Sequence, residues 1–160
     1  MQYLSYTGIG ILIIIVQVLV SRFLSIAGVS PDFLLIFLIW LTIREGQFAG
    51  EIAAFVLGLL LDIMSSSMLG AHALSKTAAC FIIGYFFNRE RVEQNIRNWP
   101  FLLLTLLAAV INNSLYYFLT TVGTEMTFAD FAFRYGAVGA LYTVFIAIFP
   151  LLYWSRRRAY

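Results

Sequence analysis

Residues 48–80 run FAGEIAAFVLGLLLDIMSSSMLGAHALSKTAAC. Two apolar stretches flank a serine-rich turn, and Glu51, Asp62, His72 and Lys76 lie inside chain that otherwise suits lipid. The pattern predicts two membrane helices joined by a tight turn, because a helix satisfies its own backbone where water is absent. Gly46, Gly50, Ala54, Gly58 and Asp62 follow at intervals of four, so a groove of small residues winds along the first of these helices and ends in a carboxylate.

The whole chain agrees with this reading. Of its 160 residues 62% are hydrophobic and 11% charged, and the mean hydropathy is +0.91. A soluble domain needs more polar surface than that. At about 20 apolar residues per span, the length holds five or six spans and leaves no room for a soluble domain. The apolar runs fall at 6–25, 31–43, 47–64, 71–87, 99–121 and 132–154. No ten-residue alternation of a barrel strand appears, and the N-terminal run lacks the basic start and small-residue site of a cleaved signal. The expected fold is an all-α integral membrane protein, a six-helix transmembrane bundle in one domain over 1–160.

Ser30-Pro31-Asp32 predicts a helix start with Ser30 as N-cap, proline at the first helical position and an acid facing the helix dipole. Asn98-Trp99-Pro100 opens the fifth span in the same way. The second run is short: its 13 residues, 31–43, rise about 20 Å against a hydrocarbon core of roughly 30 Å, which fits a short span or a re-entrant helix. Six spans with an inner N-terminus put Arg44, Arg89, Arg91, Arg97 and Arg156–Arg158 on the cytoplasmic side, against Arg22 and Arg134 outside. A re-entrant second run instead moves the N-terminus outside and leaves Arg134 alone there. Trp40, Trp99 and Trp154 fall at the expected cytoplasmic ends, as an interfacial belt requires.

Asp62, His72 and Lys76 reach similar depth around the turn, and a charge within a bundle costs about 3 kcal/mol on insertion scales unless it is paired. The expectation is that Asp62 compensates Lys76, with His72, Asn112 or the turn serines completing a polar cluster that locks the bundle or recognises a ligand or partner. Glu51 lies near the inner end, within reach of Arg44. Small or polar stripes mark Thr105, Ala109, Asn112 and Tyr116 on the fifth span, Gly136, Ala140, Thr143 and Ala147 on the sixth, and Gly10, Gln17 and Ser21 on the first. Such faces pack within a bundle or against a partner's helix; the first and sixth are the expected partner seam. Residues 88–99, NRERVEQNIRNW, predict an amphipathic helix on the inner leaflet, with Val92, Ile96 and Trp99 on one face. The basic tail WSRRRAY is an orientation anchor with affinity for anionic membrane lipids. No Gly-rich phosphate loop, HExxH or GxSxG is present, and His72 is the single histidine. Cys80 has no metal-ligand or disulfide partner in sequence. No catalysis, cofactor, metal or nucleic-acid partner is expected.

Residues 30–77 resemble the MreD family of rod-shape-determining membrane proteins. The resemblance rests on Pro31-Asp32 opening an apolar helix, Arg44 and Gly46 at its end, Gly50 and Gly58 in the next, then Asp62, Ser65, Ser66, Gly70, His72, Ala73 and Leu74. Lys76 stands outside that pattern. The resemblance implies a bacterial inner-membrane protein with both termini cytoplasmic, a true short second span, and a fold similar to the S-components of energy-coupling-factor transporters. It also implies a place in the cell-elongation machinery that makes lateral peptidoglycan, through the single-pass protein MreC and contacts with MreB, RodA and a class B penicillin-binding transpeptidase. A non-catalytic scaffold and a membrane receptor for a small solute or lipid-linked precursor are the two functions carried forward.

Overall fold

The computed structural model of the chain describes residues 2–24, 30–121 and 136–156, without the side chains of 2–4, 21–22, 24 and 153–156. Those residues form helices α1 (Gln2–Leu24), α2 (Phe33–Glu45), α3 (Gln47–Ser65), α4 (Ala71–Gly84), α5 (Val92–Arg97), α6 (Pro100–Thr121) and α7 (Val138–Arg156), with no strand among them. Each expected span corresponds to a helix, and the expected amphipathic linker contains α5. Residues 132–135, the expected start of the sixth span, lie outside the described residues. Gly136 and Ala137 make a wider π-type turn ahead of α7.

The shortest of the apolar helices is central. α2 has 13 residues, and all from Leu34 to Ile43 are buried except the half-buried Trp40. One side of it, Leu35, Ile36, Ile39 and Ile43, joins Phe101 and Ala108 of α6, Ala140 and Ala147 of α7 and Ile96 of α5. Leu34, Phe37 and Leu38 join Ile14 of α1, Ala54, Leu57 and Leu61 of α3 and Cys80 of α4. A helix surrounded by other helices has no need to match the lipid thickness by itself. It is one continuous helix.

Its N-cap differs from the expectation. Asp32, rather than Ser30, caps α2: its Oδ1 accepts from Leu35 N–H at 2.9 Å, and helix geometry begins at Phe33, leaving Pro31 outside. A carboxylate within reach of an exposed first-turn donor outcompetes a serine two residues earlier. At the fifth span Pro100 is the first helical residue, as expected.

Glycines allow the close crossings. Gly46 alone separates α2 from α3, at φ +103, where any side chain is strained. A Cβ on Gly58 would lie 2.6 Å from the backbone Cα of Ala73, so α3 and α4 touch nearly backbone to backbone. One on Gly50 would lie 2.1 Å from Thr42 Oγ1 on α2. The groove of small residues is thus spent on α2 and α4.

The opposite end of α4 stops at Gly84, short of the expected 87, because i→i+3 bonds from Tyr85, Phe86 and Phe87 tighten the chain into the linker. There Val92 and Ile96 of α5 turn toward the core while Trp99 is exposed. Arg44 stacks over Trp40 at 5.0 Å and pairs with Glu45 rather than Glu51, since the neighbouring carboxylate is nearer on the same helix end. Glu45 also accepts from the Tyr6 hydroxyl at 2.9 Å, tying α1 to α2. α3 and α6 are each long and apolar enough to cross a membrane, and Ser5–Val20 and Val138–Leu152 are shorter apolar stretches.

Gly58→Ala is expected to destabilise the bundle by about 1–3 kcal/mol through overpacking. Gly8→Ala, where a Cβ meets nothing within 4 Å, is expected to be neutral or to stabilise by up to about 1 kcal/mol through helix propensity. Thermal unfolding in detergent checks the contrast.

Candidate functional site

Asp62, in the last turn of α3, is 1% exposed. Its carboxylate accepts from Ser67 Oγ at 2.9 Å and from the backbone N–H groups of Gly70 at 3.0 Å, His72 at 3.0 Å and Ala73 at 3.2 Å. These are donors that the start of α4 cannot satisfy within its own helix. Asp62 therefore caps α4 from the neighbouring helix, and the serine-rich turn wraps around it. Ser66, at φ 53, supplies the left-handed residue that ends α3.

Lys76, one turn into α4, has no exposed side-chain surface and pairs with Asp32, not with Asp62 as the sequence suggested. α2 and α4 run in the same direction from this end, which brings the start of one beside the first turns of the other. Asp62 already has four donors and faces the turn. Asp32 also gives its backbone N–H to Thr143 Oγ1 of α7 at 3.2 Å. One residue thereby joins α2, α4 and α7.

The His72 and Asn112 side chains join neither the ion pair at Asp32 nor the cap at Asp62. The His72 ring stacks on Tyr116 of α6, with centroids 4.3 Å apart and planes 11° apart. Asn112 Nδ2 donates to Asn113 Oδ1 at 3.1 Å, and Asn113 Nδ2 donates to the carbonyl of Gly136 at 3.0 Å. His72 Nδ1 and Asn112 Oδ1 are buried without a hydrogen-bond partner. Both side chains line a cavity of about 630 Å³. Asp32, Gln17, Asn113, Tyr116, Ser65 and Ser66 share the lining, so this end of the bundle is hollow and polar.

Three of these participants have roles that the sequence reading does not assign: it has Asp32 as a helix-start acid and motif residue and Thr143 on a small stripe, and it does not single out Asn113 beside Asn112. An asparagine pair in an apolar span is a signal that could have drawn attention to Asn113.

The small stripes face inward, which corrects the expectation that those of the first and sixth spans meet a partner's helix. Gly136 is buried near Asn113, Ala140 and Ala147 belong to the core with α6, and Thr143 is bound to Asp32. On α1, a Cβ at Gly10 would lie 2.5 Å from Leu57, and Gln17 Oε1 accepts from Leu34 N–H at 2.9 Å. Close packing inside the bundle uses up these faces. Ser21 has no described side chain. On the fifth span Thr105, Ala109 and Asn112 are likewise buried.

Outside these faces, α1 and α7 both border α2 without touching each other among the described residues. An apolar groove of about 430 Å³ remains between them, lined by Ile9 and Ile13 of α1, Phe33, Ile36, Phe37 and Trp40 of α2, and Ile146 and Pro150 of α7. Among the described residues no group of three His, Cys, Asp or Glu side chains converges as a metal site.

The sequence model of a family described as rod shape-determining protein MreD matches residues 2–156. No curated protein and no solved structure matches the chain.

Replacing Lys76 by Met or Asp32 by Asn should each lower stability by about 3–5 kcal/mol, because each leaves a buried charge unpaired, whereas the double change should be close to neutral. Asparagine retains the cap at Leu35, so the coupling reports the ion pair. Unfolding in detergent measures the cycle; additive losses at these two sites would contradict the pairing.

Proposed function

The chain belongs to the MreD family of rod shape-determining proteins, and we propose that it serves there as a non-catalytic scaffold that seats the transmembrane helix of MreC. Membership makes it a membrane protein with a role in rod shape determination, and helices apolar enough to span accord with that. The scaffold reading adds the partner and the place.

The observation that carries it is the groove between α1 and α7. Here α2 forms the floor of an open apolar groove, through the half-buried Phe33 and Trp40 and the buried Ile36 and Phe37. Pro150 in the groove wall lies within α7 and has no N–H to return to the carbonyl of Ile146. Inside a membrane such a carbonyl needs a donor from a neighbouring helix or side chain. An apolar helix carrying one small hydroxyl or amide suits both features. The seam therefore stays at the first and last spans, where the sequence suggested it, but on large apolar side chains in place of the small stripes.

In this reading α1, α2, α3, α4, α6 and α7 are six spans of a bundle similar to an S-component, in the bacterial inner membrane with both termini cytoplasmic. The arginine-rich end around α5 faces the cytoplasm, within reach of MreB, while RodA and the transpeptidase are met through the membrane and through MreC. The polar cavity then lies toward the outer leaflet.

Filling the groove should expel the partner. Ile9→Trp and Ile146→Trp are expected to reduce co-purification of MreC at least about tenfold, a change of roughly 1.4 kcal/mol, with the melting temperature of the isolated protein unchanged. Leu12→Trp on the exposed side of α1 should have no effect. Undiminished MreC in both groove variants would remove this seat.

Topology is tested separately. In a Cys80→Ala background, single cysteines at Ser5 and Ser155 should both be shielded from an impermeant thiol reagent in intact spheroplasts. Labelling at Ser5 alone would place the N-terminus outside and make the span count odd.

A further inference from the structure

We infer that the polar cavity beside Asp32 is a binding site for an uncharged, hydroxyl-rich solute or headgroup. The inference stands apart from the partner-helix reading, since it concerns a different face and neither test uses the other's residues.

The cavity, about 630 Å³, falls in the range of small-molecule sites. Two of its polar atoms are left without a protein partner. Asn112 is only 3% exposed, yet its Oδ1 has no donor, and His72 Nδ1 is equally without a partner. Buried polar atoms in folded proteins are nearly always satisfied by protein, water or ligand. These two line the same space, from α6 and from the first turn of α4.

Their chemistry selects the ligand. An amide oxygen accepts only, while an imidazole nitrogen donates or accepts according to tautomer. A hydroxyl group satisfies both and a methyl group neither. Charge narrows the class further. Asp32 is the one carboxylate among the described lining residues, which include no lysine or arginine, and Lys76 behind it neutralises it, so neither an anion nor a cation finds an unpaired counter-charge there. The stacked rings of His72 and Tyr116 provide a flat wall for the carbon face of a saturated ring. A neutral polyol, such as a sugar or inositol ring, meets all of these conditions, whether free or borne on a lipid.

The test uses the full chain in a zwitterionic detergent without a sugar headgroup. Glucose, N-acetylglucosamine and myo-inositol are titrated as free neutral probes, gluconate and choline as charged counterparts, and a glucosyl diacylglycerol in mixed micelles as the lipid-borne source. Binding to the native state raises the melting temperature with a saturating dependence on concentration. At least one neutral probe should produce such a rise, and the charged probes should not. A response to the glycolipid alone assigns the source to a headgroup; a response to a free polyol assigns it to a solute.

Sugars also stabilise proteins generally by exclusion from the surface, so variants decide. Asn112→Leu removes a buried orphan acceptor but also the Nδ2 bond to Asn113, two opposing effects, so the unliganded melting temperature should change little, and the saturating rise should be abolished. His72→Phe retains a ring against Tyr116 and should weaken the response about tenfold or more; it also serves if Asn112→Leu fails to fold. A rise that is linear and equal in wild type and variants, for free and lipid-borne probes alike, would mean that ordered water alone fills the cavity. Saturation by gluconate or choline in place of the neutral probes would overturn the assignment of class.

Discussion

Asp32 meets three demands at one point. Its carboxylate caps the first turn of α2, neutralises the enclosed Lys76 of α4, and leaves its own N–H for Thr143 of α7. Removing either partner of a buried ion pair is far worse than never having built it, so α2 and α4 are committed to a single relative depth. That commitment explains how a 13-residue helix holds the centre of the bundle. Its hydrophobic sides could slide along neighbouring apolar faces with little penalty in lipid. The ion pair cannot slide.

The second carboxylate works differently. Asp62 receives no cation; it receives four hydrogen bonds, three from backbone N–H groups at the start of α4. These partial charges are those of a helix N-terminus, and they hold an anion without importing another ionisable side chain. Two acids and one lysine thus divide cleanly between an ion pair and a cap. With both acids satisfied, the remaining polar groups at this end, His72 and Asn112, are free to face a cavity. A design that used Asp62 for Lys76 would have left the turn donors at Gly70, His72 and Ala73 without an acceptor.

The sequence carried the elements because periodicity, punctuation and glycine spacing are local. Six apolar runs became helices, Pro100 began α6, and the Gly50 and Gly58 steps marked where α3 is crossed closely by α2 and α4. The partner of Lys76 was not legible in this way. Asp32 and Asp62 lie at the same end of the bundle, and depth alone cannot choose between them; the choice depends on which acid the turn donors claim, a matter of angles at Gly70 and Ser66. The direction of the small stripes was hidden for a related reason. A row such as Gly136, Ala140, Thr143 and Ala147 permits close approach by any helix, and only the assembled bundle shows that α6 and α2 are the ones that come. A cavity is harder still to foresee, since it is the space left after every neighbouring side chain has packed.

The groove and the cavity are on different surfaces, but they share α1 and α2. Ile9 and Ile13 line the groove and Gln17 the cavity, along one continuous helix. Phe33, at the start of α2, follows directly on Asp32, so a helix pressed against Phe33 and Ile36 bears on the residue that borders the cavity and holds Lys76. Gln17 adds a second link, because its Oε1 accepts from Leu34 N–H and fixes α1 to the first turn of α2. Any shift of α2 along its axis would have to break the ion pair, so Asp32 and Lys76 hold the floor of the groove and the wall of the cavity in one fixed relation. Were occupancy of one proposed site to alter the affinity of the other, the reverse effect would be of the same factor, as linkage requires.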